Sequence, residues 1–232
     1  MRLHRIGLAG VFALALAACA SGPVEPAAGR AAVGGTVQLV PPAGAGEHAG
    51  PGAYGDRRLS DVRWVDYSTP GFAVVYLDAG TRPGGRVALA VEETRTGTRL
   101  APRVEVVGVG GEIAIANRAS HAAVVSIPAV GRVEQLAAGG EIALAVERAG
   151  PVEIFLLGSA EPVLVFASPG PFARPDADGR YALNDLPPGR ATLRAWHPRL
   201  PAVSRQLELV AGEVASVDFA LGVGRGGDHG AH

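Results

Sequence analysis

Apolar residues in this chain come in short alternating runs that stop at glycine, proline, asparagine or aspartate. They recur at Thr36–Val40, Phe72–Leu77, Arg86–Val91, Val104–Val109, Glu112–Ala116, Ala122–Ile127, Glu141–Val146, Val152–Leu157 and Val163–Ala167. A period of two bounded by turn residues is the pattern of a half-buried strand. Apolar clusters at helical spacing are missing outside the first eighteen residues. Many short strands with frequent turns favour an all-β sandwich or barrel. Apolar residues make up 48% of the chain and aromatics 5%, so the core is expected to be Val, Ala and Leu. The segment from Pro42 to Asp61 reads as a long irregular loop.

The first eighteen residues read differently. Arg2, His4 and Arg5 form a basic start, and Ile6 to Ala18 an apolar stretch of signal-peptide length, too short to span a bilayer. It closes on Leu16-Ala17-Ala18-Cys19, and Cys19 is the only cysteine of the chain. An internal disulfide is therefore impossible. Lys plus Arg number 21 against 22 Asp plus Glu, a balance that gives no basic patch for nucleic acid and no acidic tail. Residues 20 to 34 are small, polar or Pro/Gly without periodicity and read as a tether.

Leu16-Ala17-Ala18-Cys19 resembles the lipobox of bacterial lipoproteins, whose cysteine is acylated and becomes the new first residue. That resemblance implies lipidation of Cys19. With Ala20 rather than aspartate behind it, the resemblance also implies the periplasmic face of the outer membrane. Several buried acyl chains, at about 0.8 kcal/mol per methylene, would make such an anchor stable.

Near Ser168 the pattern changes. Asp176-Ala177-Asp178-Gly179-Arg180-Tyr181 is a turn leading into a strand at Arg180–Leu183, with the carboxylates expected on local backbone N–H groups. Leu186-Pro187-Pro188-Gly189 is a second turn. Strands at Ala191–Trp196, Arg205–Val210 and Ala215–Leu221 follow, the last two joined by Ala211-Gly212-Glu213 as a tight hairpin turn. These motifs, with Arg190-Ala191-Thr192-Leu193 and Trp196-His197, resemble the carboxypeptidase regulatory-like domain, a small transthyretin-like β-sandwich. The tyrosine that follows the Pro-Gly turn in that family is Ala191 here.

Residues 72 to 167 resemble the cupredoxin-like (plastocyanin-like) domain that precedes this module in a group of bacterial periplasmic proteins. The residues that carry the resemblance are Ala73-Val74-Val75-Tyr76-Leu77, Gly111-Glu112-Ile113-Ala114-Ile115-Ala116-Asn117 with His121 behind it, and Val152-Glu153-Ile154-Phe155. The resulting division is a leader at 1–18, a flexible tether at 19–35, a cupredoxin-like Greek-key sandwich with a degenerate metal site at 36–167, a carboxypeptidase regulatory-like sandwich at 168–221, and a disordered tail at 222–232.

Type-1 copper needs two imidazoles and a thiolate, usually with a weak axial thioether. His121 occupies the family's first ligand position. The loop that should supply the others is Leu156-Leu157-Gly158-Ser159-Ala160-Glu161-Pro162, which holds no Cys, His or Met, and Met1 leaves with the leader. No cofactor is expected, and copper least of all. Glu92-Glu93 reads as solvated charge. Ser120 and His121, read as neighbours on a strand, would face opposite ways and make no nucleophile–base pair. There is no Gly-x-Ser-x-Gly elbow. The expectation is a non-enzymatic, membrane-anchored lipoprotein that binds or scaffolds a protein or polysaccharide partner and no nucleic acid. Two alternatives stand beside it. One is weak copper or zinc handling through His121 with His197 or the tail residues His229 and His232. The other is carbohydrate binding by the C-terminal sandwich, with Trp196 and His197 as possible ligand-binding residues.

Overall fold

The computed structural model describes residues 26–42, 65–80, 84–159 and 161–223. Residues 1–25 with Cys19, residues 43–64 with Trp64 and most of the expected irregular loop, and residues 224–232 with His229 and His232 lie outside the described residues. The strands are β1 (Ala31–Val40), β2 (Val74–Leu77), β3 (Arg86–Thr94), β4 (Gly97–Ala101), β5 (Val104–Gly108), β6 (Glu112–Asn117), β7 (Ala123–Ile127), β8 (Arg132–Leu136) and β9 (Glu141–Ala145). They continue with β10 (Gly150–Leu156), β11 (Val163–Ser168), β12 (Phe172–Ala173), β13 (Arg180–Leu186), β14 (Gly189–His197), β15 (Leu200–Leu209), β16 (Val214–Ser216) and β17 (Phe219–Gly222). Among the described residues the only helical element is the short 3₁₀ turn Pro128–Val130, and the chain is all-β.

Four sheets form two sandwich-like pairs. In one pair the orders are β4-β3-β6-β9 and β5-β11-β10-β7-β8. Their facing residues make one core, including Leu89, Val91, Ile113, Ile115, Val125, Ile127, Ile154, Leu156 and Val165. In the other pair the orders are β13-β1-β16, with β17 also on β1, and β12-β2-β14-β15. The core there includes Val33, Val37, Leu77, Tyr181, Leu183, Leu186, Leu193, Phe219 and Leu221. Alternation explains which side chains enter each core, because successive residues of a strand face opposite ways.

The expected boundaries do not divide these cores. β1, read as the end of a tether and the start of the first sandwich, pairs with β13 antiparallel and with β16 and β17 in parallel. β2, also assigned to the first sandwich, pairs with β12 and β14. The C-terminal sandwich therefore takes strands from both sides of the segment 84–168, which is inserted into it. Small residues misled the reading of β1. Ala31, Ala32 and Val33 are buried, and a Cβ on Gly35 would lie 1.9 Å from the Val217 carbonyl oxygen. The glycine there permits a close backbone approach rather than slack chain. The expected hairpin at Ala211-Gly212-Glu213 is also absent as a pairing: the turn forms, but β16 crosses to β1 instead of returning on β15.

β2 is buried on both faces. Val75 and Leu77 enter the C-terminal core, while Val74 and Tyr76 meet Val106 and Phe166 of the inserted sandwich. Phe166 stacks on Trp196 with ring centroids 4.3 Å apart and tilts against Tyr76 at 5.1 Å. Offset aromatic pairs of this kind add about 0.5–1.5 kcal/mol to the area they bury. Arg174, whose guanidinium donates to the Gly71 carbonyl, also reaches Glu105 of the inserted sandwich at 3.7 Å. Two chain crossings, a shared strand and this seam hold the two sandwiches together.

Candidate functional site

The strand end that carries Asn117 builds the loop holding His121. Asn117 is buried, and its Nδ2 shares its hydrogens among the carbonyls of His121, Leu136 and Ala137 at 2.8, 3.0 and 3.0 Å. Its Oδ1 accepts the Ala119 N–H at 3.0 Å. One amide thus satisfies four backbone groups at the turn out of β6, which fixes where His121 emerges.

Glu93 meets this loop from the end of β3. The parallel pairing of β3 with β6, Val91 opposite Asn117, carries it alongside residues 119–121. Its Oε1 accepts the Ser120 N–H at 2.7 Å and the Ser120 hydroxyl at 2.5 Å, and His121 Nδ1 lies 3.4 Å away. The Ser120 bonds, the hydroxyl first, hold the Glu93 carboxyl below its usual range. Two expectations are corrected here. Glu93 is a loop anchor rather than free solvated charge. Ser120 and His121 sit in a loop, not a strand, and both turn to the same carboxylate.

The loop across from His121 is held by its own contacts. The Leu157 N–H donates to the Val124 carbonyl, the Ser159 hydroxyl to the Glu161 carbonyl, and Glu161 pairs with Arg103. None of these is a nitrogen or sulfur ligand. Among the described residues, no three of His, Cys, Asp and Glu converge as a metal would require. A divalent cation would find His121 and Glu93 together, both exposed. Titration of the purified chain with zinc or copper(II) at micromolar metal is expected to give no stoichiometric binding. A one-to-one isotherm lost on His121→Ala would refute this.

His197 and Trp196 are employed in packing. His197 ends β14, only 4% exposed, and its Nδ1 accepts the Arg199 N–H at 3.2 Å. It lies in the other sandwich from His121, with that nitrogen already engaged, so the expected His121–His197 pair is not brought together. Trp196 faces the seam and its ring is taken by Phe166. Neither residue forms the displayed platform a saccharide ring would stack on. The Asp176 turn is as expected, with Oδ1 accepting the N–H groups of Asp178 and Arg180 at 3.0 and 2.8 Å.

Burial, and then the Arg199 charge, push the His197 imidazole down to about 4. A free histidine titrates near 6.5. The unfolded chain therefore binds a proton between those values that the folded chain refuses. Stability is full above about 6.5 and falls as the pH drops toward 4, by roughly 3 kcal/mol at the limit. Chemical denaturation across this window is expected to show that slope, and His197→Gln to flatten it. An unchanged slope in the variant would place the titrating group elsewhere.

No protein-family model matches the chain, and no curated protein matches it. A solved structure described as a copper-binding protein in the apo form, determined by NMR, is 13% identical over 39% of this chain and 94% of its own, with a TM-score of 0.27. So weak a likeness carries no assignment.

Proposed function

We propose that the chain is a non-enzymatic, membrane-anchored periplasmic lipoprotein that works as a binding or scaffolding module, with its two sandwiches presented as one body. The observation that carries this reading is the seam. β2 serves two packing layers at once, and the Tyr76–Phe166–Trp196 cluster joins the sandwiches face to face. A body held this way offers fixed sheet faces to a partner, and four of its exposed large apolar residues, Val130, Val133, Phe155 and Leu157, belong to β8, β10 and the segments beside them. Clustered exposed apolar side chains mark interaction sites more often than scattered ones do.

The anchor rests on Leu16-Ala17-Ala18-Cys19. Expression in a Gram-negative host is expected to place the chain in the outer-membrane fraction, with a mass increase from acylation. Cys19→Ala should release it from that fraction. Unmodified Cys19, or membrane association that survives the substitution, would sink the anchored reading.

A further inference from the structure

The chain enters the C-terminal sandwich at one end of it, and that end is built from turns. The Arg30 carbonyl accepts the Gly212 N–H at 2.7 Å, and the Ala32 N–H donates to the Glu213 carbonyl at 3.0 Å. The start of β1 is thus bonded to the turn between β15 and β16. Ala31 stands opposite Leu186, the last residue of β13, and Gly189 opposite Leu209, the last residue of β15. Both sheets therefore finish here. Pro187, Pro188, Val210 and Ala211 are exposed on the two turns, with Val214 beside them. Val210 and Val214 are 46% and 43% accessible. Arg30 and Arg190 stand against Asp185, Glu208 and Glu213, two cations against three anions, so the end is close to neutral.

We propose that this end seats on the lipid surface, with the tips of the turns at Pro187-Pro188 and Val210-Ala211 in the membrane interface. The occupant follows from where the chain comes from. Pro26 is seven residues after Cys19, a span of at most about 25 Å. A membrane that holds the acyl chains therefore passes near this end. The turn at Asp176–Gly179, whose Gly179 carbonyl accepts the Val37 N–H, lies seven residues further along β1, about 23 Å more distant. The turns are also suited to a medium poor in water, where an unpaired backbone group is costly. Pro187 and Pro188 have no N–H to satisfy. The N–H groups of Gly212 and Glu213 are already taken by the carbonyls of Arg30 and Val210. So few apolar side chains would hold a free protein weakly, but a tether makes the contact intramolecular at an effective concentration of roughly millimolar. Near neutrality leaves apolar burial, rather than attraction to anionic lipid, as the driving term.

This inference rests on the reading of the chain as an anchored lipoprotein and adds the orientation of the body on the membrane. The test supplies the anchor chemically. The chain from Cys19 onward is coupled through that sole cysteine to a maleimide phospholipid in phosphatidylcholine vesicles. Brominated phosphatidylcholine in the same vesicles quenches any tryptophan that reaches the lipid. Ala211→Trp places the reporter at the contact, and Ala177→Trp places it on the exposed turn further along β1. Brominated lipid is expected to quench most of the fluorescence that Ala211→Trp adds to the parent chain and none of that added by Ala177→Trp. Val210→Asp with Val214→Asp, both at exposed positions, should abolish the quenching of Ala211→Trp, because charge opposes entry into the interface. Circular dichroism checks that each variant is folded. Equal quenching of the two reporters overturns the proposal. So does quenching of neither, as an end kept free for a protein partner would give, or quenching that survives both aspartates. Chemical coupling separates this result from acylation in the cell. Quenching as expected with Cys19 unmodified in a Gram-negative host defeats the lipoprotein reading alone, and acylated Cys19 without quenching defeats the seating alone.

Discussion

Removing residues 1–40 is expected to unfold the C-terminal sandwich while leaving β3 to β11 folded. β1 is the strand on which β13, β16 and β17 all pair. It places Val33, Val37 and Leu39 in the core of that sandwich. Burying three such side chains contributes roughly 1.5–3 kcal/mol each. The loss, about 4.5–9 kcal/mol, matches the whole stability of a domain in the lower part of the ordinary range of about 5–15 kcal/mol, before the ladder hydrogen bonds are counted. The inserted sandwich keeps every member of its own core, all of which lie between Val87 and Ala167. Hydrogen exchange on the truncated chain should show residues 172–222 unprotected and the amides of β3, β6, β10 and β11 still slow. Residues 168–232 expressed alone should likewise fail to fold. Protection of β13 to β15 in either fragment would show that the C-terminal segment is a self-sufficient module, as its motifs suggest.

That contrast marks what the sequence makes legible. Strands whose core positions are Val, Ile or Leu in strict alternation, such as β3, β6, β10 and β11, stand out because a period of two is visible without tertiary context. β8 does not stand out. Its inward alternation places Arg132 and Glu134 before Leu136, and those two satisfy each other at 2.7 Å. β4 sends only Leu100 into the core. β1 looks like linker because glycine and alanine serve both a tether and a close-packed strand. The partner of each strand is less legible still. Nothing local in Ala31–Val40 says that it pairs with residues near 181 and 219 rather than with the next run along the chain.

The candidate site divides in the same way. The missing thiolate is a matter of composition, read from one cysteine at position 19. The Glu93–Ser120–His121 contact is not, because it depends on β3 and β6 pairing in parallel with β4 and β5 between them in the chain. Asn117 lies between these cases. A polar residue ending an apolar run suggests a turn, but its three carbonyl partners come from two separate segments.

Asn117→Ala is expected to be the most damaging single substitution in the inserted sandwich. It removes the side-chain partner of the His121 and Leu136 carbonyls and of the Ala119 N–H, while the Ala137 carbonyl keeps the Gly140 N–H at 2.9 Å. A buried polar group left unpaired costs about 1–3 kcal/mol, and relaxation toward water at the loop will recover some of that. A net loss of roughly 3 kcal/mol lowers Tm by about 12–24 °C for a domain of this size. Asn117→Asp separates hydrogen bonding from volume. The introduced carboxylate keeps the acceptor for Ala119 but turns oxygen toward three carbonyls, so burial and repulsion raise its folded pKa above the unfolded value of about 3.9. The sign follows from that shift: the variant is least impaired at acid pH, where the group is protonated and can donate once, and loses stability as the pH rises through the folded pKa. Thermal melts of wild type and both variants from pH 4 to 8 decide it. If Asn117→Asp tracks Asn117→Ala at every pH, the side chain acts by filling space, and the hydrogen bonds at the turn out of β6 do not set the position of His121.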